Sequence, residues 1–252
     1  MSRGEAIAAA FAGARDYDRH ARVQHRVARN LARRIAALPL PPAPRVLEIG
    51  CGTGFLTQAL RDERLAGEWL VTDIAPAMLD RARARIGEGP TFAVLDAEHG
   101  APEGGPFDLI CSSLATQWFA DEAAALARWR EWLAPGGSIL VATLGPGTFA
   151  EWRAAHEAEG LTPGTPAFTA PAALEALGPV EPPTVEAIVE PHADARAFLR
   201  ALRAIGAQTA APGHRPLSSG ALRRVMRRFE AGGACATYEV VTCHLTRANG
   251  GA

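Results

Sequence analysis

Residues 45–54 read RVLEIGCGTG, a short apolar run that empties into three alternate glycines. A run this apolar and this short reads as a strand buried on both faces, the kind found in parallel sheets. Glycines at a strand-to-helix turn let backbone pass close to a ligand, and the helix that follows offers unpaired N–H groups. The spacing is G-x-G-x-G with an acid at Glu48 in front. Position 55 is Phe, so the dinucleotide spacing G-x-G-x-x-G is not met. Asp73 closes the next apolar run 19 residues after Gly54, where a carboxylate can accept hydrogen bonds from ribose hydroxyls.

Similar runs recur downstream: WLVTD (69–73), TFAVLD (91–96), FDLICSS (107–113), SILVAT (138–143), TVEAIVE (184–190) and TYEVVTCHLT (237–246). Helical patterns fall between several of them, at 54–64, 76–86, 121–133, 194–206 and 219–230. This alternation predicts an α/β chain: a Rossmann-like, mostly parallel sheet of seven strands, wound on both faces by helices. PLPPAP at 39–44 separates an N-terminal helical region from the core. The expected organisation is one domain, with N-terminal cap helices (1–40), a ligand-binding core (41–145), cap helices with a sixth strand (146–235) and a final strand (236–247).

Composition narrows the chemistry. Every one of the 26 basic side chains is Arg, so lysine nucleophiles and Schiff bases are excluded. The four cysteines, Cys51, Cys111, Cys235 and Cys243, have no C-x-x-C or C-x-x-H spacing, which argues against a metal site and fits a reducing cytoplasm. No run approaches the roughly 20 apolar residues of a membrane span, and MSRGEAIAAAF reads as a first helix and not as a leader. The net charge of −1 hides two basic segments around an acidic body. Residues 1–40 hold 8 Arg against 3 acids, 191–230 hold 8 against 2, and 41–190 hold 9 against 21. Such a pattern asks for an acidic partner.

Taken in order, VLEIGCGTG, VTDIAPAMLDRAR, LDAEH and LAPGGSILVAT resemble the sequence motifs of class I S-adenosylmethionine-dependent methyltransferases over residues 44–145. The resemblance implies S-adenosylmethionine as cofactor, S-adenosylhomocysteine as product and no metal. It places Gly50, Cys51 and Gly52 along the methionine portion and Asp73 on the ribose. Ile74 and Met78 would flank the adenine, with Asp96 and Ala97 at its edge and Glu48 and Glu98 completing the shell.

Four further segments widen the resemblance: AIAAAFAGARDYDRHARVQHRVARNL (6–31), SSLATQWFADEAAALARWREWLAPGG (112–137), TLGPGTFAEWRAA (143–155) and FLRALRAIGAQ (198–208). They are similar to the malonyl-acyl-carrier-protein O-methyltransferases of biotin synthesis, which methylate the free carboxylate of a malonyl thioester. That chemistry agrees with SSLATQWF, which offers hydroxyls, an amide and an indole but no base. A carboxylate is already ionised at neutral pH, and in-line methyl transfer to it removes no proton. Expected on the acceptor side are Tyr17, Gln117, Trp118 and a guanidinium from Arg200, with Arg203 as the second choice, since Arg pairs best with carboxylate. Tyr17 and Gln24 are expected to face the cofactor from one helix, with Ser112, Ser113 and Leu114 at its methionine end. An acidic carrier protein would dock on exposed Arg223, Arg224, Arg227 and Arg228, or on Arg22, Arg26, Arg29 and Arg33, of a monomeric enzyme. A methyltransferase for a small free acid such as aconitate, and a respiratory complex I assembly factor, are the competing readings.

Overall fold

The structure, a computed structural model, describes residues 3–14, 16–207, 209–211 and 213–248; Gln208, at the end of one matching segment, lies outside them. The chain opens with α1 (Arg3–Ala12), α2 (Tyr17–His20) and α3 (Arg22–Ala36). The core follows as β1 (Arg45–Ile49), α4 (Phe55–Asp62), β2 (Glu68–Asp73), α5 (Pro76–Ile86), β3 (Thr91–Val94), β4 (Phe107–Ser113), α6 (Glu122–Trp129) and β5 (Leu133–Leu144). After it come α7 (Ala150–Glu157), α8 (Pro171–Glu175), β6 (Thr184–Pro191), α9 (Ala195–Ala204), α10 (Ser219–Ala231) and β7 (Cys235–Thr246).

The seven strands form one sheet in the order β3-β2-β1-β4-β5-β7-β6. Strands β1 to β5 are parallel, and β7 runs antiparallel to both β5 and β6. The strand order reverses between β1 and β4, which opens a ligand crevice at their carboxyl ends. Asp73 ends β2 as expected, whereas β3 stops at Val94 and leaves Asp96 in the turn beyond it. Tyr17 and Gln24 belong to two helices, not one, because the helix breaks at Ala21.

Helix starts are fixed by local chemistry. Asp121 Oδ1 accepts from Ala124 N at 2.9 Å to begin α6, and Asp194 and Ser218 cap α9 and α10 in the same way. Pro76 pre-sets the first turn of α5. On one face of the sheet, Val23, Leu31 and Ile35 of α3 pack with Leu60, Leu109 and Leu140. That core continues into an aromatic cluster: Phe149, Trp152, Phe198, Phe229 and Tyr238. The opposite face is filled by Leu126 and Trp129 of α6 with Leu47, Ile110, Ile139 and Leu174. In α10 the burial follows the amphipathic pattern: Val225 and Phe229 are buried, while Arg223, Arg224, Arg227 and Arg228 are exposed.

Candidate functional site

Where β1 ends, Gly50, Gly52 and Gly54 adopt positive φ of 68°, 54° and 87°, a region nearly closed to other L-residues. At Gly50 a Cβ would stand 2.2 Å from Ala115 Cβ, so the turn and the loop after β4 touch backbone to side chain. Between them, at the crevice, lies a cavity of about 410 Å³, within the range of small-molecule sites. Its floor includes Glu48, Gly50, Cys51, Gly52 and Thr53. One wall is Asp73, Ile74 and Met78, a second is the turn 96–99, and a third runs over Ser113–Ala115 and Trp118–Ala120.

The carboxylates are built in. Asp73 Oδ2 accepts from Gly52 N at 2.9 Å and Oδ1 from Ala75 N at 2.8 Å, leaving lone pairs on both oxygens for a ligand. Burial raises its pKa against those hydrogen bonds. Asp96 Oδ1 accepts from the N–H groups of Glu98 and His99, so this carboxylate shapes its own turn while lining the cavity. Glu48 is 1% exposed and accepts from Thr57 Oγ1 at 2.6 Å. Burial pushes its pKa up to about 7.

The position of Glu48 gives a pH dependence with a definite sign. Its folded pKa lies above that of a free carboxyl, so the unliganded fold loses stability as pH rises from the ordinary carboxyl pKa through about 7. A cationic ligand in the cavity favours the anion and reverses this. Affinity for S-adenosylmethionine should therefore rise about tenfold between pH 6 and pH 8 and then level. Calorimetric titrations check this, and Glu48→Gln should flatten the profile.

Burial, reinforced by the Asp73 and Asp18 carboxylates, holds the Tyr17 phenol well above its usual pKa. Burial does the same to the Cys51 thiol. Tyr17 is thus a neutral hydrogen-bond donor and Cys51 a neutral thiol; neither is a base or nucleophile at neutral pH.

The N-terminal segment roofs the cavity with Gly4, Ile7 and Phe11 of α1 and Tyr17 of α2, and Gln24 and Ala28 of α3 flank it. Long-range contacts latch this roof. Asp18 Oδ1 accepts from Thr53 Oγ1 at 2.7 Å, and its other oxygen pairs with Arg85. Arg85 Nε donates to the Thr53 carbonyl at 2.7 Å, its guanidinium lies 4.6 Å over the Phe55 ring, and Arg81 donates to the Ala14 carbonyl. Phe11 meets Trp118 edge to face at 5.6 Å. Ile7, Phe11, Phe55, Thr53, Ala115 and Phe119 line the cavity but were not expected from sequence. The i, i+4 pair Ile7 and Phe11 on an alanine-rich helix was the readable signal.

Of the acceptor-side residues, Tyr17 and Trp118 line the cavity, while Gln117 and Arg200 do not. Gln117 Nε2 donates to the Leu114 carbonyl at 2.7 Å, holding a residue whose φ is +52°. Strand alternation turns Ser112 into the interior and leaves Ser113 on the cavity face. Arg200 and Arg203 are exposed on α9, and no Arg lines the cavity among the described residues.

The residues present fit S-adenosylmethionine. A sulfonium and an ammonium suit a cavity lined by Glu48, Asp73 and Asp96 and by no guanidinium. The cradle a Cβ would fill at Gly50 admits close backbone approach, and Ile74 and Met78 supply apolar surface for an adenine. Among the described residues there is no cluster able to hold a metal, and no helix is long and apolar enough to cross a membrane.

Comparison with known proteins gives the same direction. A methyltransferase-domain family matches residues 46–137. The biotin biosynthesis bifunctional protein BioCD of Bordetella avium is 46% identical over 237 residues, covering 92% of this chain. The chain spans about half the length of that relative, 50%. Malonyl-[acyl-carrier protein] O-methyltransferase of Magnetococcus marinus is 40% identical over 248 residues, 94% of this chain and 90% of that protein. The protein of the same name from Geobacter sulfurreducens is 36% identical, with 91% and 93% covered. Among solved structures, the BH2331 protein of Bacillus halodurans aligns over 86% of this chain and 96% of its own, with a TM-score of 0.60 at 14% identity. That likeness shows the fold.

Proposed function

Because the chain belongs to the malonyl-[acyl-carrier protein] O-methyltransferase family, we propose that it transfers a methyl group from S-adenosylmethionine to the free carboxylate of a malonyl thioester carried by acyl carrier protein. The product, a malonyl methyl ester, would enter biotin synthesis. When bound, the cofactor supplies an electrophilic methyl group on a sulfonium.

One observation of the site carries the reading: the wall formed by residues 112–120 presents no titratable side chain. The titratable groups of the cavity sit on its floor, its roof or the walls of Asp73 and Asp96. An acceptor meeting this wall finds no base there to deprotonate it, and a carboxylate, ionised at neutral pH, needs none. The chain's part is to orient. Trp118 and Leu114 form an apolar wall, Tyr17 donates a hydrogen bond, and Gln117 steadies Leu114 from behind. Oriented reactants of this kind can supply up to about 7–11 kcal/mol of the barrier reduction. Arg200 and Arg203, exposed on α9, would meet charge on an approaching substrate outside the cavity.

The exposed guanidinium face of α10 is the proposed docking surface for the acidic carrier protein. Arg224 and Arg228 are already engaged by Glu159 at 2.8 and 2.9 Å, which leaves Arg223 and Arg227 to lead the contact. The enzyme is read as a cytoplasmic monomer, its four cysteines free.

Intact-mass analysis of malonyl carrier protein after incubation with enzyme and S-adenosylmethionine tests the reaction. A gain of one CH2, lost on mild ester hydrolysis, is expected; no gain refutes the proposal. Arg223→Glu with Arg227→Glu should lower kcat/KM on the carrier protein by about tenfold or more at low salt. Unchanged kinetics would refute the docking face while leaving the reaction standing.

A further inference from the structure

Two walls of the cavity, the turn 96–99 and the loop 112–120, come from chain segments more than a dozen residues apart, and one side chain joins them. Glu98 Oε1 accepts from the backbone N–H of Ala120 at 2.5 Å and of Asp121 at 3.0 Å. The clasp is braced from the far side. Trp129 Nε1 and Arg128 Nη2 both donate to the Ala97 carbonyl at 2.9 Å, and Arg128 also reaches the Glu98 carbonyl. Asp96 Oδ1, accepting from Glu98 N at 3.1 Å, orders the turn from within.

We propose that Glu98 is a positioning residue: it ties the adenine-side turn to the acceptor loop and so sets where Trp118 and Leu114 meet the acceptor, instead of binding the cofactor itself. The proposal rests on the methyl-transfer reading above. Three features support it. Glu98 Oε1 is already filled by two N–H donors. The same two amides lie at the start of α6, where a carboxylate is electrostatically favoured. The other end of the loop is fixed separately, by Leu114 N donating to the Ala142 carbonyl at 2.7 Å. Freeing the Glu98 end would release Trp118 and Phe119 while the turn of Asp96 and its contacts to α6 stay in place.

Since one oxygen takes both hydrogen bonds, Gln can replace Glu here and Ala cannot. For Glu98→Ala we expect kcat to fall by about 10- to 100-fold with S-adenosylhomocysteine affinity changed less than about twofold, and Glu98→Gln to retain kcat within about threefold. Amide exchange at Ala120 and Asp121 should accelerate in Glu98→Ala and stay protected in Glu98→Gln. A parallel loss of cofactor affinity in both variants would make Glu98 a cofactor ligand and overturn the proposal. Unchanged exchange in Glu98→Ala would overturn it as well. If the wild-type enzyme forms no ester on malonyl carrier protein, the functional reading fails, and amide exchange with cofactor affinity still decides the role of Glu98.

Discussion

Gly50→Ala should leave a folded protein that no longer holds its methyl donor. Two costs combine at this position. The backbone φ of +68° disfavours any Cβ, by roughly 1–2 kcal/mol. The new methyl would also stand 2.2 Å from Ala115 Cβ, well inside contact distance. Ala115 cannot yield freely, because the preceding Leu114 is pinned through its N–H by Ala142 and through its carbonyl by Gln117. The glycine turn must move instead, by about 1 Å, and with it the N–H of Gly52 that Asp73 holds. We expect S-adenosylhomocysteine affinity to drop at least about 100-fold by calorimetry, with far-UV circular dichroism preserved. Gly160→Ala is the control. Its φ is +64° but nothing lies within 4 Å of its Cβ position, so it carries the backbone cost alone. If Gly50→Ala binds within about threefold of wild type, the close-approach account of the turn is wrong.

The second large effect is on stability. Phe198 is fully buried and lies at the centre of the aromatic cluster that joins α7, α9 and α10 to β7. It stacks on Phe229 at 5.1 Å and meets Phe149 and Trp152 at 5.4 and 5.5 Å. These neighbours come from separate elements with their own backbone ladders, so they cannot collapse together into the space. Phe198→Ala should cost about 3–5 kcal/mol and lower Tm by about 6–20 °C. No residue of α9 lines the cofactor cavity, so S-adenosylhomocysteine binding below the transition should persist while turnover of malonyl carrier protein declines. A Tm change under about 2 °C would show that the cluster relaxes around the cavity.

Most strands were legible because an apolar run is closed by Gly, Pro or Asp, as at Gly50, Asp73, Asp96 and Pro191. Strands β4 and β7, which run on into Leu114 and Arg247, were legible by apolar content alone. The cofactor floor was legible because glycine spacing and Asp73 are local signals. Burial in α10 also followed its period: Val225 and Phe229 inside, the four Arg outside. What the sequence hid are relations between distant segments. Nothing local in Asp18 announces Thr53 and Arg85, and nothing in Glu98 announces the amides of Ala120 and Asp121. Side-chain direction in an irregular loop was equally hidden. Gln117, beside Trp118 in sequence, turns back onto Leu114, and Arg200 sits on the outer face of an amphipathic helix whose inner face holds Phe198. Among its described residues the cavity presents no guanidinium, which a local reading of the Arg-rich helices did not reveal.

Strand β7 lies between β5 and β6, although it is made after both. Until residues 235–246 arrive, β5 has an open edge and β6 has no partner in the sheet at all. During synthesis the chain therefore carries Ile188 as unpaired apolar surface, beside Val185 and Val189, which stay exposed even in the finished sheet. The cofactor half can close early, on contacts local to the first five strands, whereas the half built on β6, α9 and α10 waits for a single late strand. Chaperone dependence and losses to aggregation should thus concentrate in this half of the molecule, at the step where β7 inserts.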